Sequence, residues 1–135
     1  MKLLLLFLLL AATPLARAAD GVSLFRAGLQ AYQANGPDAF LNTWYGRGEE
    51  ALIAKIKQRL LAETANLGEV VDTEVFAPRD LGRHVQRLYG VIYFRKRPLW
   101  LRAEYYSIDG RSGLIGLEFS RSADDILPLE VGVSR

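Results

Sequence analysis

The chain has 135 residues, of which 50% are hydrophobic and 24% charged, with no cysteine and a single histidine. Without cysteine there can be no disulfide scaffold, thiolate metal site, cysteine nucleophile or lipidated N-terminal cysteine. Motifs for phosphate, dinucleotide, zinc or calcium binding and for serine hydrolysis are missing from the sequence. The spacing of the carboxylates and the one histidine does not suggest a metal site either. We therefore expect no metal and no cofactor.

The N-terminal segment, residues 1–18, has the pattern of a cleavable signal peptide. Lys2 precedes an apolar run over residues 3–12, which is too short to span a membrane. Ala16 and Ala18 supply the small residues that a signal peptidase requires for cleavage after Ala18. We therefore expect an exported protein, periplasmic or secreted, with no stable membrane anchor.

Removal of that signal peptide changes the charge balance of the chain. It takes away two of the 17 basic side chains, so the remaining basic residues equal the 15 acidic ones in number. A neutral chain offers no net positive field, and we expect no nucleic-acid partner. Residues 19–135 contain no Pro-rich or Gly/Ser-rich linker and no repeat, which predicts a single domain.

Helical periodicity marks the first part of this domain. Phe25, Leu29 and Tyr32 recur on one side of a predicted first helix. Asp20 is a suitable N-cap for it, and Gly36 is a natural stop.

Two further helices are predicted before the pattern changes. Pro37 opens a short one, since proline is tolerated at the first helical position. Glu49 opens the other, which we expect to be the longest and to end at Gly68. Its apolar stripe consists of Leu52, Ile53, Ile56, Leu60 and Leu67.

After Gly68, short segments rich in Val, Ile, Tyr and Phe predict four strands. They cover residues 69–76, 85–94, 99–107 and 114–120. The short links between the last three predict an antiparallel meander. Helices followed by a meander indicate the α+β class.

The period of two along the strands assigns their side chains to two faces. One face is apolar and is expected to pack on the third helix; it carries Leu88, Ile92, Phe94, Leu99, Leu101, Ala103, Tyr105, Ile115, Leu117 and Phe119. The opposite face mixes aromatic rings with opposite charges; it carries Arg87, Tyr89, Tyr93, Trp100, Arg102, Glu104, Tyr106, Leu114 and Glu118, with Asp72 and Glu74 as additions. This second face is neither dry core nor ordinary solvent surface.

Several short patterns carry a resemblance to a known superfamily. They are Tyr93-Phe94, Arg97-Pro98-Leu99-Trp100, Tyr105-Tyr106, Leu117-Glu118-Phe119 and Asp125-Ile126-Leu127-Pro128. With the element order over about residues 22 to 129, a span of ordinary domain size, the chain resembles the nuclear-transport-factor-2-like, or cystatin-like α+β, superfamily. Within it, the chain is similar to small exported bacterial proteins of unassigned function. The resemblance implies N-terminal helices packed on a curved, cone-like sheet of four mainly antiparallel strands, and it implies no function by itself.

The mixed face supports a first functional hypothesis, a non-enzymatic binding or interaction module. Aromatic residues and arginine are enriched at the centres of protein interfaces. We expect this surface to meet another protein or a second copy of the chain; it consists of Tyr89, Tyr93, Trp100, Arg102 and Tyr106.

The alternative hypothesis is a pocket between the helices and the sheet that takes a small apolar ligand or works like an isomerase or dehydratase. Its lining would be Phe40, Trp44, Leu101, Tyr105 and Phe119. The resemblance places superfamily pockets there, and a mostly apolar cavity is the usual form of a ligand site. A filled core accounts for the same residues and is favoured on packing grounds.

No catalytic set emerges from the titratable residues. His84 lies at the start of a strand, where an exposed or hydrogen-bonded role is favoured over catalysis. Tyr105 falls on the apolar face, where packing explains it. Asp72 and Glu74 share a strand face that is expected to point outward. We therefore assign no catalytic residue, and a non-enzymatic role is preferred.

Overall fold

A computed structural model describes the backbone of residues 14–128 and the side chains of residues 21–128. Of the predicted signal peptide, residues 1–13 lie outside the described residues. The helices are α1 (Pro14–Asn35), α2 (Pro37–Trp44) and α3 (Glu50–Thr64). The strands are β1 (Val70–Val75), β2 (Arg79–Asp80), β3 (Val85–Phe94), β4 (Pro98–Ile108) and β5 (Arg111–Ser120), followed by a 3-10 turn, Ala123–Asp125.

The fold belongs to the α+β class, as predicted. Three helices pack with an open antiparallel sheet whose strands follow the order β1-β3-β4-β5. The two-residue strand β2, which was not predicted, pairs with the first part of β3. The antiparallel meander of β3, β4 and β5 is confirmed. None of the helices within residues 14–128 is long and apolar enough to cross a membrane.

Helix α1 begins earlier than expected, at Pro14 rather than after Asp20. Proline suits a first helical turn, and the alanine-rich segment that follows has high helix propensity, so the helix continues through Asp20. The predicted stop is confirmed, since the Gly36 N–H donates to the Tyr32 carbonyl oxygen at 2.8 Å.

The helix that packs most extensively on the sheet is α1, and the expectation that α3 is this helix is wrong. Gly90 on β3 allows the approach, because a Cβ there would lie 2.6 Å from the Phe25 ring and 3.0 Å from Leu29. Helix α3 packs mainly on α2 and ends at Thr64, before Gly68. Leu52, assigned to its buried stripe, is 44% exposed.

The β4–β5 hairpin closes through a two-residue turn and not through the six-residue link that the sequence suggested. Asp109 and Gly110 have φ angles of 49° and 75°, which match the type I′ turn that Asp-Gly pairs favour. The two strands are correspondingly longer than predicted. The turn therefore fixes the register of β5 against β4.

A β-bulge at Gly116 reverses the side-chain alternation along β5. The register shifts from Ala103↔Leu117 to Glu104↔Ile115, with Gly116 at a φ of 60° between them. Leu114 therefore lies in the core, and Ile115 is 45% exposed. The face assignment of these two residues was wrong, because strict alternation takes no account of the extra residue in the bulge.

Candidate functional site

The face of the sheet turned away from the helices, called the outer face below, is ordered by the strand register. Asp72 pairs with Tyr93, and Glu74 pairs with Val91, which in turn pairs with Trp100. The chain continues past β1, and the Phe76 N–H donates to the Tyr89 carbonyl oxygen at 2.9 Å. The outward placement of Asp72 and Glu74 that the alternation predicted is therefore confirmed.

Two aromatic side chains meet above the central strand of this face. Phe76 and Trp100 come from opposite sides of β3, and their rings stack with centroids 6.2 Å apart and an interplanar angle of 18°. Beneath this pair, Val91 is fully buried and Tyr89 is only 5% exposed. Tyr89, expected as a contact residue of the outer face, therefore offers no open surface. We call Phe76, Tyr93 and Trp100, all half-buried, the aromatic patch.

The charges of the outer face are largely paired with one another. Arg87 contacts the Glu104 carboxylate at 2.9 Å, and this hydrogen bond raises the pKa of Arg87. Arg102 forms an ion pair with Glu118. These are cross-strand pairs between neighbouring strands, an arrangement that stabilises a sheet modestly.

The C-terminal segment crosses the outer face at Arg102. The guanidinium donates a hydrogen bond to the Ile126 carbonyl oxygen at 3.2 Å, and Ile126 itself is only 3% exposed. Arg102 lies between Trp100 and the exposed Tyr106 along β4. The five residues predicted as one interaction surface are therefore divided, with Tyr93 and Trp100 on one side of the crossing and Tyr106 on the other.

Tyr93 is fixed within the aromatic patch by an acidic neighbour. Its hydroxyl donates a hydrogen bond to Glu74 Oε2 at 2.7 Å. This bond, together with partial burial and the negative charges of Glu74 and Asp72, raises the pKa of Tyr93 to about 12. The neutral phenol is therefore the form that the patch presents over the ordinary pH range.

We expect Tyr93→Phe to remove one late step from the alkaline absorbance titration of the tyrosines. The folded-state pKa lies above the ordinary value of 10.0, so the contribution of this hydrogen bond to stability is present below pH 10 and is lost between about pH 10 and 12. The titration of the wild type minus that of the variant should therefore centre near pH 12. Glu74→Gln, which keeps the shape but removes the charge, should move this step toward pH 10. A difference centred near pH 10 in the wild type would contradict the assignment.

The residues predicted to line a pocket belong to the hydrophobic core. Phe40 and Leu101 are fully buried, and Trp44, Tyr105 and Phe119 are 5–7% exposed. The centroids of the Trp44 and Phe40 rings are 4.0 Å apart, and the Trp44 Nε1–H donates to the Leu24 carbonyl oxygen at 3.0 Å. In the described structure these side chains fill the space between helices and sheet.

His84 takes the strand-end role that was favoured over catalysis. It is exposed, and its Nδ1 lies 3.0 Å from the Ser107 carbonyl oxygen, to which it can only donate. The Ser107 N–H donates back to the His84 carbonyl oxygen at 2.9 Å. Over residues 21–128, no three His, Asp or Glu side chains are grouped closely enough to hold a metal ion.

A groove between α3 and β5 was not expected from the sequence. It has a volume of about 400 Å³, and its lining includes Leu52 and Lys55 on the helix and Ile115 and Leu117 on the strand. The helix and the strand that form the groove lie far apart in the chain, and helical periodicity assigned Leu52 to the core. In the sequence, Leu52 is followed directly by Ile53, which is also apolar. This pair was the available sign that α3 has more apolar residues than one buried stripe requires.

Among the described residues, the outer face and the groove are therefore candidate surfaces for recognition. Comparison of the chain with protein-family models, curated proteins and solved structures gives no match.

Proposed function

We propose that the protein is an exported, non-enzymatic interaction module that associates with a second copy of itself through the aromatic patch. The observation that carries the proposal is the Phe76–Trp100 stack, which remains partly exposed above β3. Large aromatic side chains in the middle of a polar surface are typical of residues that dominate binding energy. Part of a polar rim is supplied next to the patch by the Arg102–Glu118 ion pair and by Glu74, which accepts a hydrogen bond from the Tyr93 hydroxyl.

The distribution of charge around the patch favours a second copy as the partner. Asp72 and Glu74 lie on β1, beside the end of the sheet where the β3–β4 turn carries Lys96 and Arg97. Within the described part of the chain, these two basic side chains form no ion pair. A two-fold axis through the patch would bring the acidic strand of one copy to the basic turn of the other.

Sedimentation equilibrium of the processed protein tests this proposal over a range from low to high micromolar concentration. We expect a monomer–dimer equilibrium in the wild type. The double variant Tyr93→Ala with Trp100→Ala should weaken dimerisation by at least about a hundredfold, because truncation of two central aromatic residues removes roughly 3 kcal/mol or more.

Tyr106→Ala is the matched control, since Tyr106 is an exposed tyrosine of the same strand on the other side of the crossing at Arg102. We expect it to leave dimerisation unchanged. Circular dichroism establishes that each variant is folded. A wild type that stays monomeric throughout, or a dimer that the double variant leaves intact, would contradict the proposal.

A further inference from the structure

The α3–β5 groove has an apolar floor and an apolar mouth. Ile56 and Leu117 form its floor, each 8% exposed. Leu52 and Ile115 stand at the mouth on opposite sides, 44% and 45% exposed. Both could be covered by one ligand that enters the groove. Exposed apolar surface at a concave site is typical of a binding site.

The strand wall of the groove is an edge of the sheet. β5 pairs with β4 on one side, and within residues 14–128 no strand pairs with its other side. An unpaired edge presents backbone N–H and C=O groups to which an extended peptide can add as a further strand. A strand added there would point alternate side chains toward the groove.

The bulge at Gly116 limits which strand can add. Its φ of 60° interrupts the regular ladder in the middle of the groove wall. Bulges of this kind disfavour long edge-to-edge pairing between identical sheets. The edge therefore suits a short segment of another protein better than the β5 of a second copy.

The charges at the groove indicate the sign of that segment. Lys55 and Arg59 line the helix side, against Glu49 as the acidic residue of the lining. Lys55 forms no ion pair within the described part of the chain, and Arg59 lies with its guanidinium carbon 5.1 Å from the centre of the Phe119 ring. A carboxylate on the bound segment would complement this basic side.

We propose that the α3–β5 groove binds a short extended segment of a partner protein, with apolar side chains at alternate positions and an Asp or Glu that meets Lys55. The segment adds to β5 and covers Leu52 and Ile115. This site is separate from the aromatic patch and does not depend on self-association.

Selection from a phage-displayed library of random seven-residue peptides tests the proposal with the full processed protein as bait. We expect enriched sequences to alternate apolar residues and to contain Asp or Glu. Synthetic copies of the enriched peptides should bind Leu52→Glu and Ile115→Glu at least about tenfold more weakly than the wild type, because each change places a charge at the apolar mouth. Leu61→Glu is the control, as Leu61 lies on the same helix, is 48% exposed and lies outside the groove lining.

Two further measurements distinguish strand addition from simple apolar adhesion. Lys55→Glu should weaken the binding of acidic peptides by about three- to tenfold, since surface charge interactions are modest. Hydrogen exchange should slow at backbone amides of β5 when peptide binds. Failure to enrich any sequence, equal binding to Leu61→Glu and Leu52→Glu, or unchanged exchange along β5 would overturn the proposal. If dodecanoate bound to the groove and no peptide did, the groove would be a lipid site, and the proposal would be overturned as well.

Discussion

Gly28→Ala is expected to lower the free energy of unfolding by about 3 kcal/mol, as overpacking of a rigid site does at the upper end of its usual range. Gly28 lies in the middle of α1, where its bare Cα faces the Trp44 indole. A methyl group added there would overlap the indole ring. The ring cannot move aside freely, because it stacks on Phe25 with centroids 5.0 Å apart and its N–H is bonded to the Leu24 carbonyl oxygen.

The sign of this effect makes the experiment decisive. In an exposed helix, replacing glycine by alanine stabilises by about 1 kcal/mol, because alanine has the higher helix propensity. Urea denaturation followed by tryptophan fluorescence measures the difference. Gly46→Ala is the control, since a Cβ at Gly46 meets nothing within 4 Å, and we expect a change within about 0.5 kcal/mol. A Gly28→Ala variant as stable as the wild type would show that α1 does not lie this close to Trp44.

The strands show how far side-chain periodicity predicts structure. It gave β3 its observed bounds, Val85–Phe94, because this strand is regular and lies between turn residues. It misplaced Leu114 and Ile115 because the bulge at Gly116 depends on the backbone geometry of one glycine. A single extra residue moves a side chain to the other face of the sheet.

Burial on the outer face shows a second limit of prediction from sequence. Alternation placed Tyr89 on this face, which agrees with the strand register. It gave no sign that Phe76, just past β1, and Trp100 on β4 would meet above β3 and cover it. Which residues share a face follows from local spacing, whereas which of them remain open depends on neighbours distant in the chain.

The groove could be recognised only from the tertiary structure. Its two walls come from α3 and β5, and the sequence contains no motif that links them. The helical period of 3.6 groups Leu52 with Ile56 and Leu60, so that one stripe accounted for all three. In the folded chain, Leu60 is fully buried while Leu52 faces the mouth of the groove. The helix therefore divides its apolar residues between the core and a surface.

Trp44→Ala is expected to lower the free energy of unfolding by about 3–5 kcal/mol, the usual cost of removing a large buried aromatic side chain. The indole contacts Phe25 and Phe40 and is 7% exposed. Its removal also leaves the Leu24 carbonyl oxygen without the N–H that it accepts from Trp44. Trp44→Phe should lower the free energy of unfolding by less. It keeps most of the packing, and it loses this hydrogen bond and only part of the ring.

The same variant decides between a filled core and a ligand pocket at this place. If the indole of Trp44 fills the space, then Trp44→Ala should bind free indole in the resulting cavity, as engineered apolar cavities do. Indole at ten times its Kd should then restore about 1.4 kcal/mol of stability to the variant and none to the wild type. Benzothiophene, which has a similar shape but no N–H, should restore less, because it cannot replace the hydrogen bond that the Leu24 carbonyl oxygen accepts from Trp44. If indole stabilised the wild type instead, the space would be open in the native protein, and the ligand-pocket hypothesis would replace that of a filled core.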